Sequence, residues 1–135
     1  MKPVFADTSY YLALVNQSDP RHERAVDLAE NLLGRVLVTE YVLIEFGSAL
    51  SHGSDRLVFL SLLEDLQRDN AITIIPASES LFRQGIDLFA ARPDKECSLV
   101  DCISFIVMKQ RRLQEALTTD RHFVQAGFRA LLREL

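Results

Sequence analysis

Pro3-Val4-Phe5-Ala6-Asp7 reads as a short apolar strand closed by an acid, and the same pattern returns at Ala116-Leu117-Thr118-Thr119-Asp120. Between them stand two more short apolar strands, Val36-Leu37-Val38 and Ile72-Thr73-Ile74-Ile75, the latter ended by Pro76. Helical signals fill the gaps. Tyr10 to Val15 forms a short helix, and Asp19-Pro20 pairs a capping side chain with a first-turn ring ahead of a stripe of Ala25, Leu28, Ala29 and Leu32 that Gly34 stops. Thr39 caps a helix carrying Tyr41, Val42, Phe46, Ala49 and Leu50. His52-Gly53-Ser54 turns it back into a helix with Phe59, Leu62, Leu63 and Leu66 on one face. Ser78 caps a helix whose apolar face includes Phe82, Ile86 and Phe89, then Ala91-Arg92-Pro93-Asp94 is loop. Ser98 opens the most apolar helix, Leu99 to Met108, and Phe128 to Leu132 adds a last strand, although Ala130 to Leu135 suits a helix equally. Short uninterrupted apolar strands joined by helices predict an α/β fold with a parallel sheet covered on both faces.

With 135 residues, 48% of them apolar, the chain can bury one sizeable core but not two, so a single domain over residues 1–135 is expected. No apolar stretch approaches the roughly 20 residues needed to cross a bilayer, and no basic segment with a long apolar run precedes the first strand. A cytoplasmic protein without membrane association is expected. Cys97 and Cys102 are five apart around one helix start, a spacing that suits neither a zinc knuckle nor a redox pair, and they read as free core thiols. The formal net charge of −4 argues against a passive binder that holds nucleic acid by electrostatics alone. It argues less against a nuclease, because clustered metal-binding carboxylates lower the net charge and a bound cation reverses the local field.

Four acids carry the functional signal. In a parallel sheet the carboxyl ends of neighbouring strands open onto one crevice, so Asp7 and Asp120 are expected to share it. Asp101 is surrounded by Leu99, Val100, Cys102, Ile103 and Phe105 in a helix that is apolar nearly all round, where an unpaired carboxylate costs several kcal/mol, roughly. Glu45 lies between Ile44 and Phe46 on its own helix. Each has a plainer explanation: Asp7 and Asp120 as helix caps, Asp101 as partner of Ser98 in a capping box, Glu45 as a solvated side chain. Taken together, four like charges in one crevice would repel by about 1 kcal/mol per pair at 4 Å even in water. A divalent cation removes that conflict. Hard carboxylate oxygens, with neither His nor Cys nearby in the pattern, favour Mg²⁺ or Mn²⁺ over zinc, and such an ion suits phosphodiester hydrolysis.

The pieces Val4-Phe5-Ala6-Asp7-Thr8-Ser9, Thr39 through Glu45, Ser98-Leu99-Val100-Asp101-Cys102 and Leu117-Thr118-Thr119-Asp120-Arg121-His122-Phe123, in this order and spacing, resemble a PIN-domain ribonuclease, and among these the VapC-type toxins of bacterial toxin–antitoxin modules. The resemblance runs nearly end to end. It implies a three-layer α/β/α sandwich around a mostly parallel sheet of four to five short strands, with Asp7, Glu45, Asp101 and Asp120 as metal ligands and catalytic residues. It further implies that Thr8, Ser98 or Thr118 orients a ligand or water, that the protein is a homodimer, and that a small antitoxin inhibits it. The hairpin from Thr39 to Asp69 offers a broad apolar dimer surface. Relatives often carry an aromatic residue where Cys97 stands, which leaves that wall of the groove undefined. Arg121 and His122, adjoining Asp120, are the candidate RNA contacts. Arg21, His22 and Arg24 lie near the first crevice, and Lys109, Arg111 and Arg112 end the central helix; these basic runs read as solvated surface or as cations offsetting a helix dipole.

The function expected is a Mg²⁺- or Mn²⁺-dependent endoribonuclease, the toxin of a toxin–antitoxin pair. Two other classes compete. A catalytically weak PIN-like module would hold RNA or a protein partner. A phosphatase would use Asp7 as its nucleophile, but such enzymes place a second Asp two residues on, where this chain has Ser9.

Overall fold

The computed structural model describes residues 2–32, 34–93 and 95–134. Five strands, β1 (Val4–Ala6), β2 (Val36–Thr39), β3 (Ile72–Ile75), β4 (Glu115–Leu117) and β5 (Arg129–Ala130), pair in parallel in the order β3-β2-β1-β4-β5. Phe5 of β1 lies in register with Leu37 on one side and Ala116 on the other, all three buried. Helices α1 (Thr8–Val15), α2 (His22–Asn31), α3 (Glu40–Ala49), α4 (Asp55–Arg68), α5 (Glu79–Ala91), α6 (Leu99–Gln110) and α7 (Arg121–Gln125) flank the sheet, giving the three-layer α/β/α arrangement that the strand–helix alternation predicts. No helix among the described residues is long and apolar enough to cross a membrane.

The chain leaves β1 towards β2 and β3 on one side, then returns to build β4 and β5 on the other. The strand order therefore reverses between β1 and β4, and at such a switch point the connections diverge and leave a crevice at the carboxyl ends of the strands. Asp7 follows β1 and Thr118 follows β4 at that crevice, tied by the Asp7 N–H donating to the Leu117 carbonyl at 3.1 Å. Beneath it, Phe105 of α6 meets Phe123 of α7 edge to face, with ring centroids 4.9 Å apart. That pair pins the short α7, and with it Asp120 and His122, against the central helix.

Several boundaries and faces differ from expectation. Helix α1 starts at Thr8 rather than Tyr10, and β4 covers Glu115–Leu117, so Thr118 and Thr119 belong to the loop above the strand. Asp19 does not cap α2. Its carboxylate accepts the Arg21 N–H at 2.8 Å, closing a turn, and the helix begins at His22. Ala91 is the last residue of α5, Arg92 and Pro93 turn away from it, and Asp94 lies outside the described residues. The C-terminal segment divides between both alternatives, as a two-residue strand followed by a 3₁₀ turn over Leu131–Arg133; Leu135 is outside the described residues.

The face of α5 is the largest difference. Phe82 and Phe89 are 44% and 49% exposed, while Leu81 and Gly85 are buried. Helix α6 approaches so closely at Gly85 that a Cβ there would stand 2.4 Å from Ile103 Cγ1. The missing side chain, rather than the aromatic stripe, sets which side packs.

Candidate metal centre

Asp7, the acid after β1, is 4% exposed, and although it stands at the N-cap of α1 its side chain makes no capping bond. Its Oδ2 instead accepts two hydroxyls, from Thr118 at 2.7 Å and Ser9 at 2.9 Å. Thr118 Oγ1 also accepts the Asp120 N–H at 3.0 Å, and Ser9 Oγ accepts the Thr119 N–H at 2.9 Å. Two hydroxyls thus tie the end of β1 to the loop after β4 and fix the Asp7 carboxylate in place. Burial nonetheless holds its pKa above the ordinary carboxylate value, with the Glu45 charge adding to the rise and the hydroxyl bonds opposing it.

Glu45 is half-buried on α3 and is no free surface charge: its Oε1 accepts the Thr8 hydroxyl at 2.5 Å. Asp101 completes a capping box at the start of α6, accepting the Ser98 N–H at 3.2 Å while Ser98 Oγ accepts the Asp101 N–H at 3.1 Å. The box does not neutralise it. Burial, then the Asp7 and Asp120 charges, push the Asp101 pKa up to about 7. Asp120 caps α7, its Oδ1 accepting the His122 N–H at 2.8 Å. For Asp101 and Asp120, capping and membership of the acid cluster coexist.

The charges of Asp7, Asp120 and Glu45 all bear on Asp101, so the four predicted acids face one crevice. Among the described residues none of the four is paired with lysine or arginine. The absence of a nearby histidine, expected from the spacing, is corrected by the fold: donor atoms of Asp101, Asp120 and His122 lie within 4.8 Å of one another. His122 Nδ1 is buried 2.8 Å from Asp120 Oδ1 and has no hydrogen-bond partner among the described residues. Two carboxylates and an imidazole so placed suit a divalent cation. Ser9 is the residue to which spacing assigned no role at the site, while His122, expected as an RNA contact, stands among the acids. Ser9's only signal was its place two residues after a capping acid, where hydroxyls bond backwards.

Of the supporting residues, Thr8 and Thr118 touch the acids, whereas the Ser98 hydroxyl serves the helix cap. Arg121 is exposed beside Asp120. Arg21 and Arg24 donate to the Leu132 and Leu131 carbonyls, and His22 Nδ1 sits 2.7 Å from the Ala13 carbonyl, so this trio ties α2 to its neighbours. Lys109 is eight residues beyond Asp101 on the same helix, about 12 Å along its axis. Cys97 and Cys102 are buried free thiols as expected, and burial and the Cys97 neighbour push Cys102 up to about 11.

Similar proteins share this frame. The chain is 27% identical over 125 residues to the 23S rRNA-specific endonuclease VapC20 of Mycobacterium tuberculosis, covering 93% of this chain and 95% of that protein. The crystal structure of VapC20, described as a Sarcin-Ricin loop cleaving toxin, superposes with a TM-score of 0.84 at 26% identity over 93% of this chain and 95% of that one. FitAcB from Neisseria gonorrhoeae shares the fold, with a TM-score of 0.69 at 19% identity over 98% and 99% of the two chains. The family model of the PIN domain matches residues 4–129, and the chain belongs to the PIN domain family.

Proposed function

We propose that this protein is a metal-dependent endoribonuclease, the toxin of a toxin–antitoxin pair, and that residues 1–135 form its single PIN domain. The carrying observation is the crevice between β1 and β4, where the Asp7, Asp120 and Glu45 charges bear on the buried Asp101 and no lysine or arginine among the described residues pairs with any of the four. In this reading the four acids, joined by His122, hold Mg²⁺ or Mn²⁺. Such an ion, when bound, lowers the pKa of a water and offsets charge developing on the phosphate. The side chains do the positioning. Thr118 and Ser9 orient Asp7, Thr8 orients Glu45, and the Ser98 box fixes Asp101 on its helix. No side-chain nucleophile is needed.

The relatives direct the choice of substrate, and 23S ribosomal RNA is the first to test. Purified protein free of any partner should cut total cellular RNA or a 23S fragment with Mg²⁺ or Mn²⁺ present and stop when EDTA is added. Folded protein that leaves all RNA intact in both metals would end the nuclease reading.

The proposed partners are a small antitoxin and a second copy of the chain. Ile44 and Leu60, 64% and 54% exposed on α3 and α4, line a groove of about 660 Å³, and Leu57 is 69% exposed on α4. Exposed apolar surface of this kind marks an interaction site. Sedimentation of the purified chain should give about twice its 15.3 kDa mass, and Leu57→Glu with Leu60→Glu should give the monomer. A monomeric wild type at micromolar concentration would exclude the dimer. A co-purifying antitoxin should suppress cleavage; one that leaves the rate unchanged would not be the inhibitor.

A further inference from the structure

A narrow notch opens beside the acid crevice, with His122 common to both. It is lined by Arg92 and Lys95 from the loop between α5 and α6, by His122 and Gln125 of α7, and by Cys97 and Phe105 beneath. Its free volume of about 10 Å³ admits one oxygen-sized atom and no nucleobase. The four polar side chains can all donate hydrogen bonds, and among the described residues no carboxylate lines the notch.

Arg92 sits close to the start of α6, where its charge reaches Cys102 in the first turn. Among the described residues neither Arg92 nor Lys95 forms an ion pair. Arg92 is half-buried as well, so it is not held out in solvent like the exposed Lys109 and Arg111. Two cations, an imidazole and a carboxamide thus face a gap the size of one oxygen beside the acid crevice, a donor set that suits a phosphate oxygen.

We infer that this notch holds the RNA phosphate adjoining the scissile one, with Arg92 and Lys95 as its charge partners and His122 and Gln125 as its further donors. This rests on the nuclease reading for the identity of the strand. The acid crevice supplies the chemistry and repels the backbone until a cation offsets its charge, and the notch adds an attraction that seats the strand beside it. Arg92 and Lys95 then seat the strand without belonging to the acid cluster.

The test is fluorescence anisotropy of a labelled single-stranded RNA oligonucleotide across a KCl series with Mg²⁺ present, every variant being built on Asp101→Asn so that cleavage does not intrude. Arg92→Gln with Lys95→Gln should weaken binding about tenfold, as expected for one charge-assisted contact, and reduce the salt slope by about 0.7, the value for one phosphate on a single strand. Lys109→Gln with Arg111→Gln removes the same formal charge at the far end of α6 and should leave both quantities near the parent. Arg92→Lys, which keeps the charge, should restore most of the binding, and thermal melts verify that each variant is folded. Equal losses in the two double variants would reduce the effect to net charge and overturn the proposal. So would unchanged binding in Arg92→Gln with Lys95→Gln, or a parent that binds no RNA. Binding is read apart from cleavage, so a protein that binds through the notch but cuts nothing would refute the nuclease reading alone.

Discussion

Asp101→Asn is expected to cut RNA about 10²–10⁴-fold more slowly than the wild type, the rate equivalent of the several kcal/mol that a metal centre contributes, while melting no lower without metal. The two halves of this result come from different properties of one side chain. The capping box asks Asp101 only to accept the Ser98 N–H, and the amide oxygen of asparagine does the same, so the start of α6 survives. The cation asks for charge, which the amide lacks. Removing that charge also relieves its repulsion with Asp7, Asp120 and Glu45, so the metal-free variant is predicted to melt at or above the wild type at pH 8. Asp7→Asn should behave alike, since its amide oxygen can still accept the Thr118 and Ser9 hydroxyls. Initial cleavage rates and Mn²⁺ titration calorimetry measure the two losses. Wild-type rates in Asp101→Asn would reduce this residue to a helix cap and remove it from the centre.

The second large effect is a stability that falls with rising pH until metal reverses it. The Asp101 pKa stands at about 7 in the folded chain against an ordinary 3.8, so the folded state holds the proton more tightly than the unfolded one. Its contribution is fully present below pH 3.8 and is lost as the pH climbs through about 7. Asp7 is raised in the same direction. For Asp101 the loss is roughly 2–4 kcal/mol, enough to lower the metal-free Tm by about 5–10 °C between pH 5 and pH 8. The difference from Asp101→Asn isolates it from other titrations. Mn²⁺ needs the ionised carboxylates, so its stabilisation should be small at pH 5 and approach about 2.7 kcal/mol at pH 8 with the ion at a hundredfold its Kd. A shift of equal size at both pH values would disconnect the ion from these acids. The melts should show one cooperative transition, and two resolved ones would contradict a single domain.

The misplaced elements share a cause. An apolar stripe on α5 marked Phe82 and Phe89 as the packed face because side-chain size carries the hydrophobic signal. What decides the packing is the absence of a side chain at Gly85, where Ile103 comes closest, and periodicity cannot register an absence. Asp19-Pro20 had the chemistry of a helix start, but its carboxylate closes a turn first; caps and turns use the same donor–acceptor pair over neighbouring residues. Asp101 and Asp120 resolve differently again. Each satisfies the plain capping explanation and still belongs to the cluster, because a carboxylate has more lone pairs than one backbone N–H can use.

The strand–helix alternation, the acids closing β1 and following β4, the caps at Thr39 and Ser78 and the box at Ser98 were all determined by the sequence itself, since each is a local matter of periodicity or of a side chain bonding its own backbone within a few residues. Only the tertiary structure decided that Thr8 would meet Glu45 across 37 positions of chain, that Ser9 and Thr118 would fix the Asp7 carboxylate, and that His122 would stand among the acids. These meetings depend on the strand order and its reversal between β1 and β4. That order is set by pairing between distant segments, where the free energy comes from burial shared by the whole sheet rather than from any one stretch of residues.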